Sequence, residues 1–206
     1  MKIPLQNAKA LESSWQHYKQ VRLMLEMGVV TNCAPTLAGM KSANLFSYRY
    51  ASKTEVEREL NDINRKLNPR GVYVEALLWR QETVLVYAYR KIFLEADLQQ
   101  DGVRQLLSRY GYHDYEVGSC LIRLKERLAK SECFPHEIGI FLGYPLEDVI
   151  GFIDHKGKDC KLCGMWKVYG NVNETGKLFQ KLKKCSDIYT RVFQEGRSIT
   201  QMTVCI

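Results

Sequence analysis

Val72-Tyr-Val-Glu-Ala-Leu-Leu-Trp79 and Thr83-Val-Leu-Val-Tyr-Ala-Tyr-Arg90, joined by Arg80, Gln81 and Glu82, read as the two strands of an antiparallel hairpin. Both faces of the hairpin are apolar or aromatic, so it belongs in the middle of a sheet with helices over at least one side. Upstream, Asn44 to Tyr50 alternates Leu45 and Ser47 against Phe46, Tyr48 and Tyr50, and reads as another strand. Met165 to Tyr169 supplies a further short one.

Helices fill the spaces between. Ser52-Lys-Thr-Glu55 fits a capping box that opens a helix with Val56, Leu60, Ile63 and Leu67 on one stripe, closed by Asn68-Pro-Arg-Gly71. Val103, Leu106, Leu107 and Tyr110 mark a short helix ended by Gly111, and Val117, Leu121, Leu124 and Leu128 mark a second. Pro135 and Pro145 suit the first turns of two short helices broken at Gly143, with Glu147 and Asp148 placed against the positive end of the second. Asn173 is expected to cap a last long helix carrying Leu178, Leu182, Cys185, Tyr189 and Val192. Gly196 stops it, and Ser198 to Gln201 form another capping box.

At the other end, Ala8 to Met27 is amphipathic, with Leu11, Trp15, Tyr18, Val21 and Leu25 on one face and Gly28 as its stop. Val29 to Lys41, with its Asn, Pro and Gly, is expected to be a turn-rich connection. The fold class that follows is α+β: a small, mostly antiparallel sheet of about four strands surrounded by six or seven helices. The chain is expected to form a single domain over 1–206, with 1–28 as a helical appendage.

Of 206 residues, 46% are apolar and 26% charged, which excludes disordered and fibrous classes. Apolar runs such as Val84 to Ala88 are far shorter than the roughly 20 residues of a membrane span. Lys2, Pro4, Gln6, Asn7 and Lys9 interrupt the place where a signal peptide has its apolar core. A cytoplasmic protein without a membrane partner is expected. The seven cysteines are an odd number without framework spacing, so thiols are expected over disulfides, with Cys120 and Cys185 as packing residues.

The formal charge is +7, and Lys156 to Lys184 holds most of it, eight lysines against Asp159 and Glu174. Lys156, Lys158, Lys161 and Lys167 beside Trp166 and Tyr169 suit an anion, a phosphate-bearing cofactor or a nucleic-acid strand. The lysines from Lys177 to Lys184 fit a solvated helix face.

Cys160-Lys-Leu-Cys163 has the spacing of a metal-binding or redox pair, but four-coordinate zinc needs further ligands, for which His136, His155 or Cys33 are the choices. His136-Glu137 lacks a second histidine, since Ile140 stands where a zinc-protease helix has one. Cys33, Thr36 and Lys41 are placed to share one wall of a loop, and the same residues also suit a buried structural turn. The candidate ligand-binding set is Cys33, Thr36, Lys41 and Asn44 from this first segment. From Phe134 to Gly170 it takes His136, Glu137, Tyr144, Lys158, Trp166, Lys167 and Tyr169.

Four stretches carry a family resemblance: Cys33 to Phe46, Leu67 to Gly71, Phe134-Pro-His-Glu-Ile-Gly-Ile-Phe-Leu-Gly-Tyr-Pro-Leu-Glu-Asp-Val-Ile-Gly-Phe152, and Trp166-Lys-Val-Tyr-Gly170. Over about Val30 to Thr203 the chain resembles the domain-of-unknown-function family thirty-seven ninety-three of anaerobic Gram-positive bacteria. The resemblance implies no activity, ligand or catalytic residue.

The function expected first is small-molecule or anionic-cofactor binding, or regulation, with flavins, nucleotides and tetrapyrroles among the ligands. Its pocket lies between the Cys33 to Lys41 segment and the Phe134 to Gly170 segment. The alternatives are a thiol or metal enzyme using Cys160, Cys163 and His136, and a non-specific nucleic-acid binder working through residues 156–184. The sequence leaves the oligomeric state open.

Overall fold

A computed structural model describes residues 24–130 and 134–206. Its centre is a three-stranded antiparallel sheet of β1 (Ala43–Arg49), β2 (Val72–Trp79) and β3 (Thr83–Arg90) in the order β1-β3-β2. The hairpin strands have the bounds read from the sequence, and β3 is the central strand. Helix α2 (Lys53–Leu67) links β1 to β2, which run parallel on either side of β3. This is a split β-α-β arrangement.

Strand alternation divides the core. Val84, Val86 and Ala88 of β3, with Val72 and Val74, face one helical layer, while Tyr87, Tyr89 and Leu77 face the other. The sheet therefore has helices on both faces. A bulge between Ala76 and Leu78 turns Leu77 and Leu78 toward the same layer, after which Trp79 returns to the other. The outer edge of β2 is closed by a side chain, because Asn64 of α2 accepts from Val74 N at 2.8 Å and donates to Val74 O at 2.7 Å.

The first layer holds α1, whose described part covers 24–37, with α2 and α9 (Ile199–Met202). The second holds α3 (Lys91–Leu98), α4 (Asp101–Ser108), α5 (Val117–Lys130), α6 (Ile138–Phe141) and α7 (Leu146–Asp154). Beyond α7, β4 (Leu162–Cys163) and β5 (Lys167–Val168) make a separate two-stranded ribbon, and α8 (Val172–Gln194) lies across it through Leu182, Leu178 and Phe179. The last turns of α8 carry Tyr189, Val192 and Phe193 onto the first layer. One helix thus joins the ribbon to the main body.

Several expectations need correction. Gly28 does not stop the first helix; it lies inside α1, where a Cβ would come within 3.1 Å of the Phe46 ring, so glycine serves close packing there. The helix runs to residue 37, burying Val29, Val30, Cys33, Ala34 and Leu37, and replaces the turn-rich connection expected over 29–41. Its true stop is Gly39, left-handed at φ 70°, with Met40 N bonded to Pro35 O and Gly39 N to Thr36 O in a Schellman closure. The part of the expected helix before Met24, including Leu11, Trp15, Tyr18 and Val21, lies outside the described residues, as does Cys133.

The fourth strand is only Lys167–Val168, and its partner is the unforeseen β4 rather than the main sheet. Nine α-helices stand among the described residues, more than expected, partly because α3 follows β3 without a turn signal. Asn171, not Asn173, caps α8 by accepting from Glu174 N at 3.2 Å. Pro145 is the residue before α7, and Pro135 stands before α6 with its carbonyl accepting from Ile138 N. Ser52 caps α2 by accepting from Glu55 N, which is one half of the expected box, while the box at Ser198 and the stop at Gly196 are as read. Cys120 and Cys185 are buried packing residues.

Arg90, at the end of β3, is 1% exposed and has no carboxylate partner among the described residues. Its guanidinium donates to Thr36 O, Leu37 O and Val204 O at 2.6, 2.7 and 2.9 Å. It thereby satisfies the last carbonyls of α1 and fastens the chain after α9 to them, a C-terminal position that favours a cation.

Candidate functional site

Pro145, fixed just ahead of α7, sets the helix start so that Asp148 falls in the first turn. There its carboxylate is turned inward, 2% exposed, and accepts from Trp166 Nε1 at 2.8 Å, Tyr169 N at 2.7 Å and Gly170 N at 2.9 Å. Three donors and the helix N-terminus satisfy the buried charge without a cation. Asp148 therefore pins the ribbon onto α7.

Two glycines make that approach possible. A Cβ on Gly151 would lie 2.4 Å from Tyr169 Cγ, and one on Gly170 would lie 2.0 Å from the Glu147 carboxyl carbon. On the other side of α7, a Cβ on Gly139 would meet Val149 Cγ2 at 2.7 Å. Gly139, Gly151 and Gly170 are thus contact residues between α6, α7 and the ribbon.

The same packing leaves a pocket of about 140 Å³, whose walls include Phe134, His136, Tyr144, Phe152, Trp166 and Lys167. Trp166 stacks on Tyr144 with ring centres 4.6 Å apart and meets Phe179 edge to face at 4.5 Å. His136 stands edge to face with Phe152 at 5.0 Å. Aromatic contacts of this kind fix the walls in place.

Two lysines adjoin these rings. The Lys167 ammonium donates to Gly157 O and lies 5.9 Å from the Phe152 ring centre. Lys41, from the turn between α1 and β1, places Nζ 4.7 Å from the Tyr144 centre and 6.0 Å from that of Trp166. Burial pulls the Lys41 ammonium down to about 8, a shift that the nearby Cys33 side chain partly offsets. No ion pair among the described residues includes either lysine.

Of the expected ligand residues, His136, Tyr144, Trp166 and Lys167 line this pocket, and Lys41 touches two of its rings. The others stand elsewhere. Cys33 is sealed inside α1, where burial pushes its thiol up, and Thr36 donates from the same helix to Asn44 Oδ1 at 2.7 Å. Glu137 is buried beneath α6 in a bidentate pair with Arg127 and accepts from Tyr112 Oη at 3.3 Å. Lys158 is exposed, its carbonyl accepting from Tyr169 Oη at 2.8 Å, and Tyr169 stacks on His155 at 5.4 Å. The pocket is therefore lined from within Phe134 to Lys167, and from the Cys33 to Lys41 segment Lys41 reaches two of its rings.

Cys163 is exposed on β4 opposite Lys167, and Cys160 is half-buried beside Tyr169, whose phenol is raised first by burial and then by Cys160 and Asp159. Among the described residues no group of three or more His, Cys, Asp and Glu is close enough to hold a metal ion. Lys177, Lys181, Lys183 and Lys184 are exposed on α8, with Lys183 paired to Asp187 at 3.0 Å. No helix among the described residues is long and apolar enough to cross a membrane.

Asp148, Phe134 and Phe152 were not among the expected site residues. The signal for Asp148 was an acid at a helix start, which reads equally as a dipole partner; nothing local announced that Trp166, eighteen residues later, returns to it.

No curated protein and no solved structure matches the chain. The sequence profile of the family described as "Protein of unknown function (DUF3793)" matches residues 29–203, a span that takes in the sheet, the pocket and the ribbon. The chain belongs to that family.

Proposed function

We propose that the protein binds a small ligand with one flat ring and an anionic group, the ring entering the Phe134 to Lys167 pocket and the anion meeting Lys167 or Lys41. What carries the reading is the combination of ring-walled apolar space with two neighbouring lysines that have no carboxylate partner among the described residues. Ligand sites are typically concave and mostly apolar, with a few polar groups that fix orientation.

Size narrows the class. At about 140 Å³ the pocket is close to the ~150 Å³ cavity that accepts benzene in an engineered protein core. A single six-membered ring fills it, whereas a flavin, nucleotide or tetrapyrrole would seat one ring and leave the remainder outside. The ligand is therefore a monocyclic acid or the end of a larger anionic cofactor.

The test is thermal stabilisation and tryptophan fluorescence with benzoate, then with larger anionic aromatics, on wild type and Phe152→Ala. Ligand at a hundred times its Kd stabilises by about 2.7 kcal/mol. A rise in Tm that Phe152→Ala removes supports the reading; an unchanged Tm across the series at millimolar concentration overturns it.

A further inference from the structure

Lys41 stands apart from the paired lysines of the chain. Lys66 reaches Glu26 at 2.6 Å and Lys125 reaches Glu75 at 2.7 Å, whereas Lys41 ends against two aromatic rings. It is half-buried, held in the turn that closes α1, with Cys33 wholly buried nearby and Tyr144 and Trp166 on the ribbon side. Rings stabilise an ammonium less than a carboxylate in the same place, and burial disfavours the charged form. More of the amine is free at neutral pH than in an exposed lysine.

Tyr144 and Trp166 are also pocket walls, so a ring seated in the pocket and the Lys41 amine contact the same two side chains. The geometry points to Lys41 as a reactive amine that captures a carbonyl-bearing aromatic ligand as an imine, an assignment that rests on the ring-and-anion reading of the adjoining pocket. The ligand class is a monocyclic aldehyde or ketone with an acidic substituent.

The step balances without a further reactant. Deprotonated Nζ attacks the carbonyl carbon, forming the C–N bond while the oxygen takes a proton to give a carbinolamine. Loss of water from that adduct leaves the C=N bond, and hydrolysis returns both partners. A lysine desolvated among apolar groups is suited to such chemistry.

The experiment incubates the full chain with 4-carboxybenzaldehyde and cyanoborohydride, which delivers hydride to the imine carbon, and maps the carboxybenzyl adducts by peptide mass. Benzoate binding is measured in parallel. The expected result is labelling of Lys41 roughly tenfold or more faster than Lys158, since a lower pKa raises the share of free amine. Benzoate slows that labelling, and Lys41→Arg removes it. Benzoate binding with Lys41 labelled no faster than Lys158 overturns the imine and leaves the pocket reading standing. Loss of both overturns both, and fast labelling of Lys41 without benzoate binding or protection overturns the assignment of the pocket as its ligand site.

Discussion

The buried carboxylate of Asp148 and the indole of Trp166 are joined at 2.8 Å across eighteen residues, and this bond sets one wall of the candidate pocket. Replacing Asp148 by alanine leaves Trp166 Nε1 and the amides of Tyr169 and Gly170 without their acceptor. Buried groups left unpaired cost about 1–3 kcal/mol each, so a total loss of about 3 kcal/mol is expected in urea denaturation. Asp148→Asn keeps one acceptor oxygen and should lose about half as much, again on that scale. An unchanged midpoint in both variants would remove Asp148 as the pin of the ribbon.

Two glycine-to-alanine changes in helices should have opposite signs. Gly118 in α5 is exposed with nothing within 4 Å of its missing Cβ, so Gly118→Ala should stabilise by about 0.5–1 kcal/mol through helix propensity. Gly151 in α7 has Tyr169 Cβ 2.5 Å from the same position. There the clash outweighs propensity, and Gly151→Ala should destabilise by about 1–3 kcal/mol. Thermal melts of the two variants side by side decide the matter.

Arg90 offers a third test. Arg90→Met removes donors to Thr36 O, Leu37 O and Val204 O; the first two keep the amides of Gly39 and Val204, so the change should cost about 1–3 kcal/mol. Arg90→Lys should recover only part of that, because a single ammonium cannot reproduce the planar fork. Full recovery by lysine would mean that charge at the α1 terminus, not the three bonds, is what stabilises.

Lys41 gives the fold a pH signature. Its folded value of about 8 lies below the ordinary 10.5, so between those values the unfolded chain binds more protons than the native one. Stability contributed by this group therefore rises as pH increases from about 8 toward 10.5. Cys33 acts in the opposite sense above its ordinary 9.0, since burial raises its thiol and the unfolded chain loses that proton first. The difference between wild type and Lys41→Met, taken by urea melts from pH 7 to 9, isolates the lysine. Wild type should gain on the variant as pH rises, and parallel curves would refute the assignment.

The sheet was legible because its strands carry local signals. Alternation and the three polar residues at 80–82 located β2 and β3, and serine caps located α2 and α9. The first helix was misread at Gly28, because a glycine chosen for contact with Phe46 has the same local appearance as one chosen for a left-handed stop. Helix α3 was missed because Arg90 passes directly from strand to helix with no Gly, Pro or capping side chain between them. At the site, the rings and lysines of 134–170 could be named in advance, but their partners could not. Glu137 was drawn to Arg127 and Thr36 to Asn44, pairings made only by folding.

The amides of Tyr169 and Gly170 end on a side chain rather than on a neighbouring strand. Their exchange with deuterium reports on a single carboxylate, and so gives a local clock for opening of the ribbon that the main sheet does not share. Slower exchange at these two positions on adding a ligand, with β3 amides unaffected, would locate the bound molecule by kinetics alone.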